Sequence, residues 1–189
     1  MAPAPNVTGQ TVSNRTARRG GIFSIIERIL PGARRSVEIV GRLLDSIPDR
    51  PRNAPNYNDE SRWGILRTRY GLPTWEAAHL WGPGFGDEAA AGMFLASSEA
   101  NQAFQNNGVE AFARSLHAAA KARGGEVRIH ATAVGHGPQH AGGMALAEVH
   151  YEIYIKPSGG PPELMGTASF ACDPPPGGKP HKPELSWVR

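Results

Sequence analysis

The sequence predicts an α+β domain: an antiparallel sheet with a central helix, preceded by N-terminal amphipathic helices. Three observations carry this reading. Apolar and polar residues alternate through Glu126 to Val134 and again through Ala147 to Ile155, the two-residue period of a half-buried strand. Between Ser98 and about Lys121 a helix-length stretch opens on Ser97, Ser98 and Glu99 and closes at Gly124-Gly125, which are start and stop signals. Before residue 48, apolar side chains recur at spacings of three and four. At 189 residues with 40% hydrophobic content, the chain can bury one core with an appended segment.

In chain order, Met1 to Gly21 is rich in Pro, Ala, Asn, Thr and Arg, which buries too little apolar surface to offset ordering entropy, so a flexible leader is expected over 1–21. Ile22 to Leu30 and Ala33 to Ile47 carry the helical spacing, through Ile22, Phe23, Ile25, Ile26 and Ile29, then Val37, Val40, Leu44 and Ile47, with Pro31-Gly32 as the break. These form a helical appendage and linker over 22–59, closed by the Pro- and Asn-rich stretch Pro48 to Asp59. Such a pair could lie on a membrane surface, but Glu38 and Asp45 favour packing on protein. The main, catalytic domain then spans 60–189. Trp63 to Tyr70 reads as a strand, Thr74 to Trp81 as extended or irregular, Ala91 to Ala96 as a short apolar strand, and Leu164 to Ala171 as the last strand. The central helix is expected to use Phe104, Val109, Phe112 and Leu116 as its apolar face, with a bend at Asn107-Gly108.

Charge and cysteine content exclude several classes. The net charge of +3 comes from the front of the chain: residues 1–69 hold 12 Lys+Arg against 6 Asp+Glu, and residues 70–189 hold 8 against 11. A nucleic-acid partner would therefore meet a local site rather than a broadly basic face. The longest apolar stretch, near Gly21 to Ile26, is far short of the ~20 residues of a membrane span. One cysteine, Cys172, makes neither an internal disulfide nor a thiolate cluster, and reads as a small buried hydrophobe.

The stretch Trp75 to Glu110 concentrates the residues that do chemistry. A neutral imidazole at His79 can take a proton from water. A carboxamide oxygen at Asn101 can hold a hard divalent cation that keeps water and phosphate as its other ligands. Arg67 and Arg69 could clamp a phosphate with planar forks. Glu110, nine residues after Asn101, could position a ligand or a metal-bound water. Gly82, Gly84 and Gly86 read as a tight turn rather than a phosphate cradle, because no strand-to-helix fingerprint accompanies them. His130, His136, His140 and His150 could supply metal ligands, since alternate strand residues share a face and a loop can fold over them, but without nearby cysteines or a His-Glu helix pair they read as solvated; Trp75 and Trp81 read as core, and a serine-nucleophile elbow is absent from the sequence.

The order strand, His79-Leu80-x-Gly82, Gly-rich loop, apolar strand, then a helix with Asn101 near its start resembles the ββα-metal nucleases, in particular the DNA/RNA non-specific endonuclease toxins, over Trp63 to Tyr154. That resemblance implies His79 as general base, Asn101 as the ligand of Mg2+ or another divalent cation, and Glu110 as the helix carboxylate. The whole layout, with HLWGPGFGDEAAAGM followed by NQxxQN, is similar to polymorphic toxin C-terminal domains of the type 4 group. This second likeness implies an effector made in a bacterial cytoplasm, secreted, and delivered into competing cells. It also implies a carrier or secretion-system protein meeting the N-terminal region, and a cognate immunity protein. Nucleic acid is the expected substrate and DNA or RNA hydrolysis the expected reaction. The alternatives are a transferase or deamidase built on His79 and Glu76, and a non-catalytic binding module using the Trp/Gly-rich loop.

Overall fold

The structure is a computed structural model; it describes residues 9–16, 20–45, 60–86 and 89–187. Seven strands form one antiparallel sheet in the order β1 (Gln10–Thr16), β2 (Ile22–Leu30), β3 (Arg34–Arg42), β6 (Glu126–Gly135), β7 (Leu146–Lys156), β8 (Glu163–Ala171) and β9 (Glu184–Trp187). A separate ribbon pairs β4 (Trp75–His79) with β5 (Met93–Ser97). Helix α1 (Glu60–Arg69) precedes β4. Between β5 and β6 lies one long helix, wound as a π-helix over Glu99–Glu110 and as α2 over Ala111–Ala122. This confirms the α+β class.

The core sits against one face of the sheet. Val37 and Ile39 of β3, Val127, Ile129, Ala131 and Ala133 of β6, and Val149, Tyr151 and Ile153 of β7 are buried at alternate positions. They pack with Ala113 and Ala120 of α2 and with Trp81, Phe85 and Phe94. A second cluster joins Trp63 and Leu66 of α1, and Tyr70 just after it, to Leu72, Trp75, Met93 and Leu95. Cys172 is buried, and desolvation pushes its thiol up to about 12, as befits an inert packing residue.

Two expectations are overturned. The segments read as amphipathic helices are the strands β2 and β3, joined at Pro31-Gly32 with Leu30 paired to Arg34. Val37 and Val40 do recur at helical spacing, but Arg35, Val37, Ile39 and Gly41 also recur at two. The β-branched load of Ile25, Ile26, Ile29, Val37, Ile39 and Val40 favours the pleated alternative. The deciding contact is distant: β3 pairs with β6, from Ser36↔Val134 to Arg42↔Arg128. Residues 22–42 are thus central to the sheet rather than appended to it, and Gln10–Thr16 of the expected leader pairs with β2. The linker expected at Pro48 to Asp59 lies outside the described residues. Conversely, Trp63 to Arg69 belongs to a helix that ends just before Tyr70, and Trp63, Leu66 and Tyr70 line up at three and four and face the second cluster. The strands expected around Ala91, Glu126, Ala147 and Leu164 are all present.

Candidate active site

The loop after β4 is seated from behind. Trp81 is fully buried and tilts against Phe85 with ring centroids 5.1 Å apart; Phe85 meets Tyr151 edge-on at 6.2 Å. Gly41 of β3 leaves room for the indole, since a Cβ there would lie 2.7 Å from Trp81. Leu44 N–H donates to Phe85 O at 3.2 Å, and Leu80 N–H donates to Gly92 O at 2.8 Å. The backbone from His79 to Gly86 is thereby fixed against both the sheet and the β4–β5 ribbon.

On its other side this loop receives Glu110. A Cβ on Gly82 would lie 3.2 Å from His79 Cβ and 3.3 Å from Glu110 Oε1, so the imidazole and the carboxylate flank one glycine. A Cβ on Gly84 would land inside the Glu110 carboxyl group. Only glycine allows that approach. Burial pushes the Glu110 carboxyl up to about 7, against a weak opposing pull from Arg114, one helical turn further on.

The π-winding explains how Glu110 gets there. In an α-helix of 3.6 residues per turn, nine residues from Asn101 is two and a half turns, which would aim Glu110 away from Asn101. With i→i+5 bonding and ~4.4 residues per turn, Asn101, Gln105 and Glu110 share one face. Burial is compatible with that spacing: Gln105 lies five residues after buried Ala100 and four after buried Asn101, and Val109 is buried four further on. Ser97 Oγ caps the start, accepting from Ala100 N–H at 3.3 Å.

Gln105, 2% exposed, lies at the centre of this face. Its Nε2 donates to His79 O and, at 2.9 Å, to Tyr151 Oη. Tyr151 in turn donates to Leu80 O at 3.3 Å. Desolvation, the largest cause, holds the Tyr151 hydroxyl well above its ordinary range. Gln105 and Tyr151 escape a sequence reading, and Gly84 is legible there only as part of a tight turn. The visible traces are the NQxxQN string and a tyrosine on the core-facing side of β7.

The other expected site residues are placed differently. Glu76 accepts from Asn101 Nδ2 at 2.7 Å and from Gln102 Nε2 at 2.9 Å. The Asn101 bond is the largest cause that holds its carboxyl below the usual range. Glu76 therefore staples β4 to the helix start. Arg67 and Arg69 stand on α1, two residues apart and so on different faces. Arg67 donates to Trp75 O at 3.1 Å, and the Arg69 guanidinium lies 5.7 Å from the Tyr70 ring centre. They do not converge as a phosphate clamp.

Asn101 donates its amide nitrogen to Glu76, so its carboxamide oxygen is the atom that would hold a cation; among the described residues no three His, Cys, Asp or Glu side chains converge as a metal site. The later histidines have other contacts. On the face of the sheet away from the helix, His130 bridges Glu38 at 3.1 Å and Glu152 at 3.0 Å, while His136 meets Cys172 O at 3.1 Å. A groove of about 360 Å³ on that same face is floored by Thr132, His150 and Ser169 and walled by His181, Lys182 and Glu148. It lies across the sheet from Glu110, and His181 is already paired with Asp173 at 2.7 Å.

These features define a class: a small α+β domain with a protonatable carboxyl and an imidazole at a glycine-rich loop. Residues 72–157, from just before β4 to just past β7, match the family model described as Bacterial toxin 4 (Ntox4). The match, over somewhat less than half of the chain, supports a polymorphic-toxin C-terminal domain, and toxins of that family generally have a cognate immunity protein as partner. Curated proteins and solved structures give no match. Among the described residues no helix is long and apolar enough to cross a membrane.

Proposed function

We propose that this toxin domain is a nuclease in which His79 and Glu110 move the protons of phosphodiester cleavage. The observation that carries the reading is the Glu110 carboxyl pressed into Gly82 and Gly84 beside His79, with burial raising it to about 7. A carboxyl poised there is protonated often enough near neutral pH to act as a general acid, while an adjacent imidazole serves as base.

RNA is the substrate that suits such a pair, because its 2′-hydroxyl supplies the nucleophile. His79 takes the 2′-hydroxyl proton as that oxygen attacks phosphorus. The P–O5′ bond breaks, and O5′ takes the proton from Glu110. The products are a 2′,3′-cyclic phosphate and a 5′-hydroxyl. Arg114, exposed one turn beyond Glu110, is the cation this reading assigns to the phosphate. A cation held by Asn101, as the ββα-metal resemblance implies, would stabilise charge on the leaving oxygen; the proton transfers assigned to His79 and Glu110 do not require it.

The test is cleavage of single-stranded RNA and DNA oligonucleotides by the purified chain, with and without EDTA. RNA cleavage that persists in EDTA and leaves cyclic-phosphate ends is the expected result. Cleavage of both polymers only with Mg2+ would replace the acid–base reading by the metal-dependent one. Inactivity on both under all conditions would overturn the nuclease reading altogether.

A further inference from the structure

We infer that Gln105 is the positioning residue of this site, selecting which face of the π-helical segment meets the loop and so seating Glu110 beside His79. The inference deepens the nuclease reading and rests on it for the consequence in turnover, though not for the geometry.

The argument starts from donor count. A Gln side chain carries two N–H donors on one nitrogen, and Gln105 Nε2 has two acceptors, His79 O and Tyr151 Oη. Tyr151 has one hydroxyl proton, which goes to Leu80 O. The hydroxyl must therefore accept from Gln105, and the chain Gln105→Tyr151→Leu80 O has a single direction. It joins the helix, the middle of the sheet and the exit of β4 at one buried point.

Few residues satisfy this point. Leu or Met would fill the space but leave His79 O unpaired in the interior and Tyr151 without its donor. Glu would set an acceptor against the His79 carbonyl. Gln105 also lies five residues before Glu110, one i→i+5 step along the helix. Losing its two bonds removes what holds that winding in register with β4. A change toward α-winding at Gln105 would rotate Glu110 off Gly84 and back toward water.

The test reads the Glu110 carboxyl directly, by 13C NMR titration of Glu-labelled protein, in wild type, Gln105→Glu, Gln105→Met and Tyr151→Phe. Melting temperature, kcat and KM on an RNA oligonucleotide are measured alongside. Wild-type Glu110 is expected to titrate near neutral pH. In the Gln105 variants its midpoint should fall toward that of an exposed glutamate, with kcat reduced on the order of 10²-fold and KM changed little, as for a misplaced reacting group. Tyr151→Phe removes a single hydroxyl from the same chain; it should shift the midpoint in the same direction and keeps the test open if a Gln105 variant fails to fold. A lower melting temperature with the Glu110 midpoint unmoved would overturn the inference, because that is what a merely structural glutamine gives. If wild type cleaves no nucleic acid yet the midpoint still moves, the nuclease reading fails and Gln105 keeps its role.

Discussion

Replacing Glu110 by Gln should make the protein more stable above neutral pH while removing its activity. The folded-state carboxyl sits at about 7 against 4.5 for an unperturbed one, so the native state binds more protons than the unfolded state between those values. Stability therefore falls as pH rises through that window. The gap of roughly 2.5 pH units corresponds to about 3 kcal/mol, present as stability below pH 4.5 and lost above pH 7. Gln is nearly isosteric and uncharged, so it escapes that loss. Urea titrations at pH 4 and pH 8 check the sign: the variant should match wild type at pH 4 and exceed it by up to ~3 kcal/mol at pH 8. With a urea slope of about 1–3 kcal/mol per molar, the midpoint would move by roughly 1–3 M. Turnover at neutral pH should fall by about 10²- to 10⁴-fold, the range for losing a positioned proton donor. A variant that is less stable than wild type at pH 8 would show that the carboxylate is held by favourable contacts rather than desolvated, and the acid assignment would go with it.

Further expectations are simpler to check. His79→Ala should lower turnover by about 10²- to 10⁴-fold with the melting temperature near wild type, and added imidazole should restore part of the rate; early melting with full activity per folded molecule would remove His79 from the reaction. Gly84→Ala would put a methyl group where the Glu110 carboxyl lies, so turnover should collapse and the Glu110 titration should move toward an ordinary value. Gly41→Ala, on the sheet behind the loop, should cost about 1–3 kcal/mol because its Cβ meets the Trp81 indole at 2.7 Å, and calorimetry measures it. Deleting residues 1–16 removes β1 from β2 and should lower the melting temperature, whereas a freely flexible leader could be removed without effect.

The sheet's second half was readable because β6 and β7 alternate cleanly and face the core with one set of side chains. The first half was not. Val37, Val40 and Leu44 satisfy a helical period by coincidence, and what makes β3 a strand is its pairing with β6, some ninety residues away. At the site, His79 and Glu110 were legible as residue types in a suggestive stretch, but their meeting was not. It depends on a π-winding that ordinary helical arithmetic does not anticipate, and on two glycines whose role is to be absent at the right place. Arg67 and Arg69 show the reverse error: two cations that look like a clamp on a strand separate once the segment is helical.

The hairpin of β2 and β3 has a consequence for how much chain this domain needs in order to fold. The family match begins at residue 72, yet the tryptophan and phenylalanine beneath the loop rest on Gly41 and Leu44, and β6 hydrogen-bonds to β3 along its length. A graft limited to residues 72–157 would carry the reactive groups while leaving an open ladder on β6 and two large aromatic rings facing water. The folding unit is therefore longer at its front than the matched stretch, and a break between the hairpin and β4 would keep His79 and Glu110 while removing the support that Gly41 and Leu44 give the loop from behind.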